Sequence, residues 1–198
     1  MTSEERVCPY VKQPDMQTEK SNTQTTIDTD VQWYAIRTFH NKAASICNKA
    51  RHDNVEYYTP VRKIETIYNG ECRTETLMLM PSLLFLRTTP EWIASLRQYS
   101  GDNILPYCEP GTSRPQAIAD SEMERFRFVA NTAAKTLEWV DPETLATSDR
   151  VRITEGVFKG LEGYIRRVHG TKRFVVAIEG VAAIATTYIP KQYIERLE

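Results

Sequence analysis

The sequence predicts an α+β fold in which an α/β sandwich of about 100 residues precedes a small β-barrel. Three observations support this prediction. Strand-like and helix-like segments alternate between residues 31 and 133, and Asn69-Gly70 separates two β-rich runs. Five of the eight glycines lie within the last 43 residues, a density that excludes helix and favours tightly turned strands.

The sandwich begins with a strand and a helix. Val31–Thr38 is rich in aromatic and β-branched residues and is predicted to be a strand. Asn41 is the predicted N-cap of a helix that runs to about Asp53, with Asn54 just past its end. Its apolar face has spacing i, i+3, i+4 and i+7, through Ala43, Ile46, Cys47 and Ala50.

A β-hairpin is predicted next. Val55–Tyr68 and Glu71–Met80 flank Asn69-Gly70, a pair that readily adopts the positive φ angles of a two-residue hairpin turn. Near the turn both strands carry polar side chains on both faces. We therefore expect the hairpin tip to project from its domain.

The following segments complete the sandwich. Pro81–Thr88 is nearly all apolar and is predicted to be a central strand. Thr89 and Pro90 predict the start of a second helix, which Gly101 ends. A short strand is expected at Ile104–Tyr107.

A third helix is predicted to open at Asp120 or Ser121, the latter with Glu124 as a capping box. Its predicted apolar side carries Met123, Phe126, Ala130 and Ala133.

Residues 134–148 are predicted to be a linker, and the barrel follows at 149–198. Val151 and Ile153 alternate with Arg150 and Arg152, the period-2 pattern of a half-buried strand. Strands are predicted near 149–153, 162–168, 173–179 and 182–189, with a last turn at 193–197.

The N-terminal residues 1–31 are predicted to be a disordered tail, since they are poor in apolar side chains. The sandwich domain is assigned to 32–133. Four cysteines (8, 47, 72 and 108) form no C-x-x-C pair and are expected to be reduced thiols. The absence of an apolar run of ~20 residues and of signal-peptide features predicts a cytoplasmic protein that does not enter a membrane.

The charge distribution argues against a protein held on RNA by electrostatics alone. The net charge is −1, although residues 148–198 carry nine basic and six acidic side chains. Phosphate contacts supply most of the affinity of rRNA-binding proteins, which are therefore usually basic. Any nucleic-acid contact is expected to be secondary to a protein contact.

The order of these segments resembles the NusG family, in which an N-terminal NGN domain precedes an SH3-like KOW barrel. The resemblance covers residues 31–198. Among these bacterial proteins, the chain is most similar to UpxY-type antiterminators of capsular polysaccharide operons. The residues that carry the resemblance are Trp33-Tyr34, Met80–Phe85, Asp149–Gly163, Ile178–Gly180 and Ala185–Pro190.

The resemblance implies a transcription elongation factor that suppresses pausing or termination. Its NGN domain would bind the clamp helices of the RNA polymerase β′ subunit and hold the clamp closed. The motif places that surface at five residues: Tyr34, Met80, Pro81, Leu83 and Phe85. A core role for these apolar side chains is the alternative.

Some relatives also touch non-template DNA at the upstream fork, through the first helix. The matching basic residues here are Arg37, His40, Lys42, Lys49 and Arg51. The alternative is that these residues form a solvated helix face that binds no DNA.

The KOW domain of this family binds termination factor Rho, a ribosomal protein or RNA. The corresponding residues are those of the glycine-framed loop, Phe158, Lys159 and Leu161, and a basic group, Arg166, Arg167, Lys172 and Arg173. Phe158 could instead fill the end of the barrel.

No catalytic, cofactor or metal motif is apparent, so the prediction is a non-enzyme without cofactors. The protein is also expected to be a monomer. The three histidines have no metal-ligand spacing, and the sequence contains no Gly-x-Ser-x-Gly or phosphate loop. The alternative function is an RNA-binding protein of the ribosome or of translation that contains a KOW barrel.

Overall fold

A computed structural model describes residues 31–69, 71–80, 82–134, 136–145 and 148–197. Residues 1–30 of the tail predicted at 1–31 lie outside the described residues, as do Gly70 and Pro81. The chain divides into two compact units, one within 1–59 and 81–117 and the other within 60–80 and 118–198.

The described elements follow one another in this order: β1 Gln32–Thr38, α1 Ala43–His52, β2 Glu56–Tyr58, β3 Val61–Tyr68, β4 Glu71–Met78, β5 Leu83–Thr88, α2 Pro90–Ser100, β6 Ile104–Pro106, β7 Ala117–Ile118, α3 Asp120–Thr132, β8 Glu138–Val140, β9 Asp149–Ile153, β10 Glu162–Val168, β11 Thr171–Ile178, β12 Ala182–Tyr188 and β13 Ile194–Arg196. Short 3-10 helices occur at Gly101–Asn103, Pro142–Leu145 and Lys191–Tyr193.

The first unit is built on a sheet with strand order β2-β5-β1-β6, and β7 also pairs with β1. The pairs β2–β5, β5–β1 and β1–β6 are antiparallel. The prediction that Pro81–Thr88 contributes a central strand is confirmed, because β5 lies between β1 and β2. The core between the sheet and the two helices contains Tyr34, Ile36, Leu84 and Leu86 from the strands and Ile46, Cys47, Ala50, Ile93 and Leu96 from α1 and α2.

The predicted N-cap of α1 is wrong. Asn41 has a φ of 56°, and Lys42 precedes the helix without a side-chain capping hydrogen bond. Asparagine tolerates the left-handed region better than most residues, so it forms the turn before the helix instead. Asn54 also has a φ of 56°, in agreement with the predicted end of the helix.

The predicted strand Val55–Tyr68 is interrupted at Thr59-Pro60, between β2 and β3. Proline has no N–H to donate to a central ladder, so a strand commonly ends at it. The Thr59 hydroxyl donates to the Leu83 carbonyl at 3.2 Å, which anchors the end of β2 to β5.

The start of α2 agrees with the prediction. Thr89 is the N-cap, its hydroxyl accepts from the Trp92 N–H at 3.4 Å, and Pro90 is the first helical residue. Gly101 ends the helix with a φ of 56°.

The second unit contains the hairpin, α3 and the C-terminal strands. β3 and β4 pair from Val61–Met78 to Tyr68–Glu71, and Asn69 has the expected positive φ of 53°. Ile67 and Tyr68 are 77% and 58% exposed, so the tip is solvated as predicted.

The C-terminal strands form a six-stranded sheet with order β13-β9-β10-β11-β12-β8. Its strands lie close to their predicted positions, and the pairings along it are antiparallel. Residues 134–148, predicted to be a linker, include β8, which pairs with β12, and the 3-10 helix Pro142–Leu145. Val140 and Leu145 pack on Val175, Ala183 and Ala185, so this segment contributes to the core of the sheet.

Helix α3 packs on β11 and β12. The predicted apolar side is confirmed, since Met123, Phe126, Ala130 and Ala133 are all buried. The helix begins at Asp120, which confirms the first of the two predicted starts, and the capping box predicted for a start at Ser121 is wrong. Asp120 and Glu122 lie in the first turn, where negative charge stabilises the helix dipole.

Candidate nucleic-acid interface

An open cavity of about 670 Å³ runs along the exposed side of α1 in the first unit. It is polar and lacks any acidic lining side chain among the residues that the structure describes. The lining residues are His40, Asn41, Lys42, Ala44, Ser45, Asn48, Lys49, His52 and Tyr99. We call this cavity the α1 groove.

A tight turn before α1 shapes one end of the groove. His40 and Asn41 both have positive φ angles, 51° and 56°. The Phe39 N–H donates to the Asn103 carbonyl at 2.8 Å, and the Lys42 N–H donates to the Phe39 carbonyl at 3.1 Å. His40 Nδ1 lies 3.2 Å from Asn103 Oδ1, which attaches this side chain to the 3-10 helix before β6. The turn therefore presents His40 and Lys42 at a fixed place beside the helix.

Helical spacing and α2 provide the remaining wall. Ser45, Asn48 and His52 follow one another at intervals of three and four residues, so they form one stripe on α1, and Asn41 lies in the turn before the helix. Tyr99, near the end of α2, is 66% exposed, and the Lys49 ammonium lies 5.2 Å from its ring centroid. An exposed aromatic ring thus stands beside a polar, cationic surface.

Asp53 determines which cations of the groove remain uncompensated. His52 Nδ1 lies 2.8 Å from one carboxylate oxygen of Asp53, and the Lys49 ammonium and Trp92 Nε1 donate to the other at 2.9 and 3.0 Å. These hydrogen bonds, that of His52 foremost, hold the pKa of Asp53 well below its usual value. Lys49 is thereby neutralised in part.

Lys42 is the exposed cation that remains in the groove. Among the described residues, no ion pair involves Lys42. A phosphate could approach it without displacing an internal partner.

This combination suits a single-stranded nucleic acid. Lysine contacts phosphate, asparagine amides bond to base edges, and an exposed tyrosine ring stacks on a base for about 1–3 kcal/mol. The cavity is open to solvent, so a strand could enter it without a rearrangement of the lining residues.

The structure brings together three of the five residues predicted to bind DNA. His40, Lys42 and Lys49 line the groove. Arg51 is exposed on α1, but its guanidinium donates to Asn48 Oδ1 at 2.9 Å and to the Tyr57 hydroxyl at 2.7 Å. Arg37 belongs to β1 and lies over the Phe39 ring, 5.5 Å from its centroid.

Sequence reasoning missed Asn48, His52 and Tyr99 as groove residues. The spacing of Asn48 and His52 along α1 could have shown that they share a stripe with Ser45. No local pattern could have placed Tyr99 there, because it belongs to a different helix.

The residues predicted to bind RNA polymerase are buried where they are described. Tyr34 is 4% exposed and belongs to the core beneath α1 and α2, which is the core role given above as the alternative. Leu83 and Phe85 are 4% and 0% exposed, and alternation along β5 places them on the opposite face from Leu84 and Leu86. Met80 is 6% exposed, and Pro81 lies outside the described residues.

In the second unit, Phe158 is 3% exposed. Its ring packs 6.2 Å from the Phe174 centroid and 6.3 Å from that of Phe128. It therefore fills the core, as the alternative reading held. The exposed apolar residue of this glycine-framed loop is Val157, at 70%. Lys159 is exposed and Leu161 half-buried.

The predicted basic group is divided between the two faces of the β10–β11 ladder. Arg166 is opposite Arg173, and Arg167 is opposite Lys172. Arg173 donates to Glu138 Oε1 at 2.7 Å, whereas Arg167 and Lys172 are exposed. The four cations thus do not form a single patch.

Among the described residues, no cluster of three or more His, Cys, Asp or Glu side chains could hold a metal ion. The described part of the chain has no helix long and apolar enough to cross a membrane. Cys47, Cys72 and Cys108 are free thiols, and Cys8 lies outside the described residues.

Comparison with protein families matches residues 31–127 to the NusG model, described as transcription termination factor nusG. The matched segment contains the first unit's strands and helices and the α1 groove. The match supports the NusG family, whose members are transcription factors rather than enzymes. No curated protein matches the chain.

Proposed function

We propose that this chain, with its NusG match at residues 31–127, is an elongation factor that binds RNA polymerase and suppresses pausing or termination. The match is the single observation that carries the proposal. It favours this function over an RNA-binding protein of the ribosome or of translation. The resemblance to UpxY-type antiterminators extends the proposal to operon-specific action, on genes for capsular or surface polysaccharide.

The proposed contact with RNA polymerase is the face of the first unit's sheet that lies opposite α1 and α2. Leu83 and Phe85 belong to that face, and Ala35 pairs with Phe85 across the two inner strands. A tip of the β′ clamp helices would bind such a surface through its apolar side chains. Since Leu83 and Phe85 are buried in the described chain, binding there requires this face to become exposed.

The proposed DNA contact is the α1 groove, which would hold the non-template strand near the polymerase. Its polar lining, the uncompensated Lys42 and the exposed Tyr99 suit a single strand more than a duplex. In the proposed mechanism, the two contacts bind the processive conformation of RNA polymerase more tightly and shift its equilibrium towards elongation.

Rho, a ribosomal protein or nascent RNA would be the partner of the proposed KOW domain at 149–198.

Binding to purified bacterial RNA polymerase and read-through of a terminator in vitro test the proposal. The full-length chain should bind the enzyme and raise read-through. Leu83→Ala should weaken binding, and Leu84→Ala is the matched control because it removes the same side-chain atoms from the neighbouring position on the helix-covered face.

Each substitution removes a buried leucine and is expected to lower stability by about 2–5 kcal/mol. Binding is therefore compared at a temperature where circular dichroism shows both variants folded. Equal affinity of the two variants would contradict the assigned face. Failure of the unaltered chain to bind polymerase would contradict the function itself.

A further inference from the structure

We propose that a small cavity in the second unit binds an acidic peptide segment of a partner protein, with one apolar side chain as its anchor. The cavity has a volume of about 250 Å³. Its lining residues are Asp149, Val151, Ile165, Lys172, Lys191, Ile194 and Arg196. The inference depends only on the second unit and does not require the proposed transcription function.

The floor of the cavity is aliphatic. Val151, Ile165 and Ile194 come from three neighbouring strands, β9, β10 and β13. Val151 is buried, while Ile165 and Ile194 are partly exposed. A leucine, isoleucine or phenylalanine side chain would cover this apolar surface and remove it from water.

The rim of the cavity is cationic. Lys172, Lys191 and Arg196 surround the floor, and Asp149 is the one acidic residue among the described lining side chains. Asp149 lies 3.2 Å from the guanidinium of Arg196 and partly compensates it. Within the part of the chain that the structure describes, Lys172 and Lys191 are exposed and have no ion pair.

The cations around the cavity differ in whether a carboxylate of the chain lies beside them. Arg150 and Arg152 lie 3.4 and 2.6 Å from Glu162, and Arg173 lies 2.7 Å from Glu138. Arg167, by contrast, lies directly across from Lys172, an arrangement that like charges disfavour. Bound carboxylates would relieve that repulsion, so the cationic rim is complementary to an acidic ligand.

The aliphatic floor favours a peptide over a nucleic acid. Single-stranded nucleic acids bind through aromatic platforms on which bases stack, and no aromatic side chain lines this cavity among the described residues. A peptide with an apolar residue flanked by Asp or Glu matches both the floor and the rim.

Selection from a random peptide library displayed on phage, against the immobilised full-length chain, tests the proposal. Enriched peptides should contain a large apolar residue flanked by Asp or Glu. Dissociation constants would be measured by fluorescence anisotropy with the labelled synthetic peptide. The double variant Lys172→Glu/Lys191→Glu should weaken binding at least tenfold, because the charges of the two unpaired lysines of the rim are reversed.

The matched control is Arg97→Glu/Arg114→Glu, which makes the same change in net charge at two exposed residues of the first unit. It should leave peptide affinity within twofold of the unaltered chain. Absence of enrichment, or equal loss of affinity in both double variants, would overturn the proposal. So would a labelled single-stranded RNA whose binding is abolished by the cavity variant while peptide binding persists.

Discussion

Gly163 is buried in β10 at a position where no side chain fits. A Cβ atom there would lie 2.7 Å from Cε2 and 2.9 Å from Cζ of Phe174, and it would collide with the carbonyl oxygen of Val175. The close approach of β10 and β11 therefore depends on this glycine. Gly160, by contrast, has a φ of 85° and open space around it. Glycine is favoured there because of the backbone conformation and not because a side chain would collide.

Gly163→Ala should lower the free energy of unfolding by about 2 kcal/mol, because the backbone oxygen cannot move aside as a flexible side chain would. Urea denaturation followed by circular dichroism measures the effect. Gly160→Asn is the control and should change stability by less than about 1 kcal/mol, since asparagine tolerates positive φ. Equal free energies of unfolding for Gly163→Ala and the unaltered chain would show that β10 and β11 can move apart without a loss of stability.

Individual side-chain roles were the hardest to predict. Alternation in β1 places Tyr34 and Ile36 on one face and Trp33 and Ala35 on the other, but it does not show which face the helices cover. Similarly, the glycines at 156 and 160 predicted a turn, whereas only the packing on Phe174 shows that Phe158 points inward and Val157 outward. Whether a side chain points into the core or towards solvent depends on its neighbours in the folded chain, and the spacing of residues along the sequence does not show these neighbours.

At the level of elements, the C-terminus of α1 combines a helix end with a network of charges. Lys49, Arg51 and His52 lie in the last turn, where cations stabilise the helix dipole. Asp53 follows at the C-cap, where a carboxylate alone would be unfavourable. Its bonds to His52, Lys49 and Trp92 compensate for that position and tie the end of α1 to α2.

The lowered pKa of Asp53 predicts an acid-dependent loss of stability. Because the folded-state pKa lies below the unfolded-state value of 3.8, the ionised carboxylate contributes its full stabilisation above about pH 5. That contribution falls as the pH drops below the unfolded-state value. Asp53→Asn should therefore lower the melting temperature at pH 7 and show a smaller further decrease between pH 5 and pH 2.

Thermal unfolding followed by circular dichroism over that pH range measures both effects. Glu91→Gln is measured beside Asp53→Asn, because it also replaces a carboxylate by an amide. Hydrogen bonds at the start of α2 lower the pKa of Glu91 as well. Parallel pH curves for Asp53→Asn and the unaltered chain would contradict the assigned role of this carboxylate.

Elements with strong local signals were predicted well. Thr89-Pro90 gave the start of α2, Asn69-Gly70 gave the hairpin turn, and the arginine alternation gave β9. Errors occurred where two physical preferences compete. Asn41 could cap a helix or adopt positive φ, and β8 is too short for its pattern to differ from a linker.

For the whole molecule, the net charge of −1 conceals two cationic surfaces, one in each unit. The α1 groove depends on Lys42 and a ring from α2, and the peptide cavity depends on residues from β9 to β13. Residues 33–108 carry nine basic and seven acidic side chains, and residues 148–198 carry nine and six, so both segments are slightly basic. These segment charges could not show which cations are already paired with internal carboxylates, because that depends on side chains brought together from distant parts of the chain.

The salt dependence of single-stranded DNA binding tests whether Lys42 acts as a phosphate contact. For a single strand, the logarithm of the association constant falls with the logarithm of salt concentration by about 0.7 per phosphate neutralised. Lys42→Gln should therefore reduce this slope by about 0.7 and weaken binding of a labelled oligonucleotide at low salt. Arg114→Gln, an exposed cation of the same unit outside the groove, should leave the slope unchanged. Because both variants lose one positive charge, an equal change in slope would mean that binding follows overall charge and that the groove holds no defined strand.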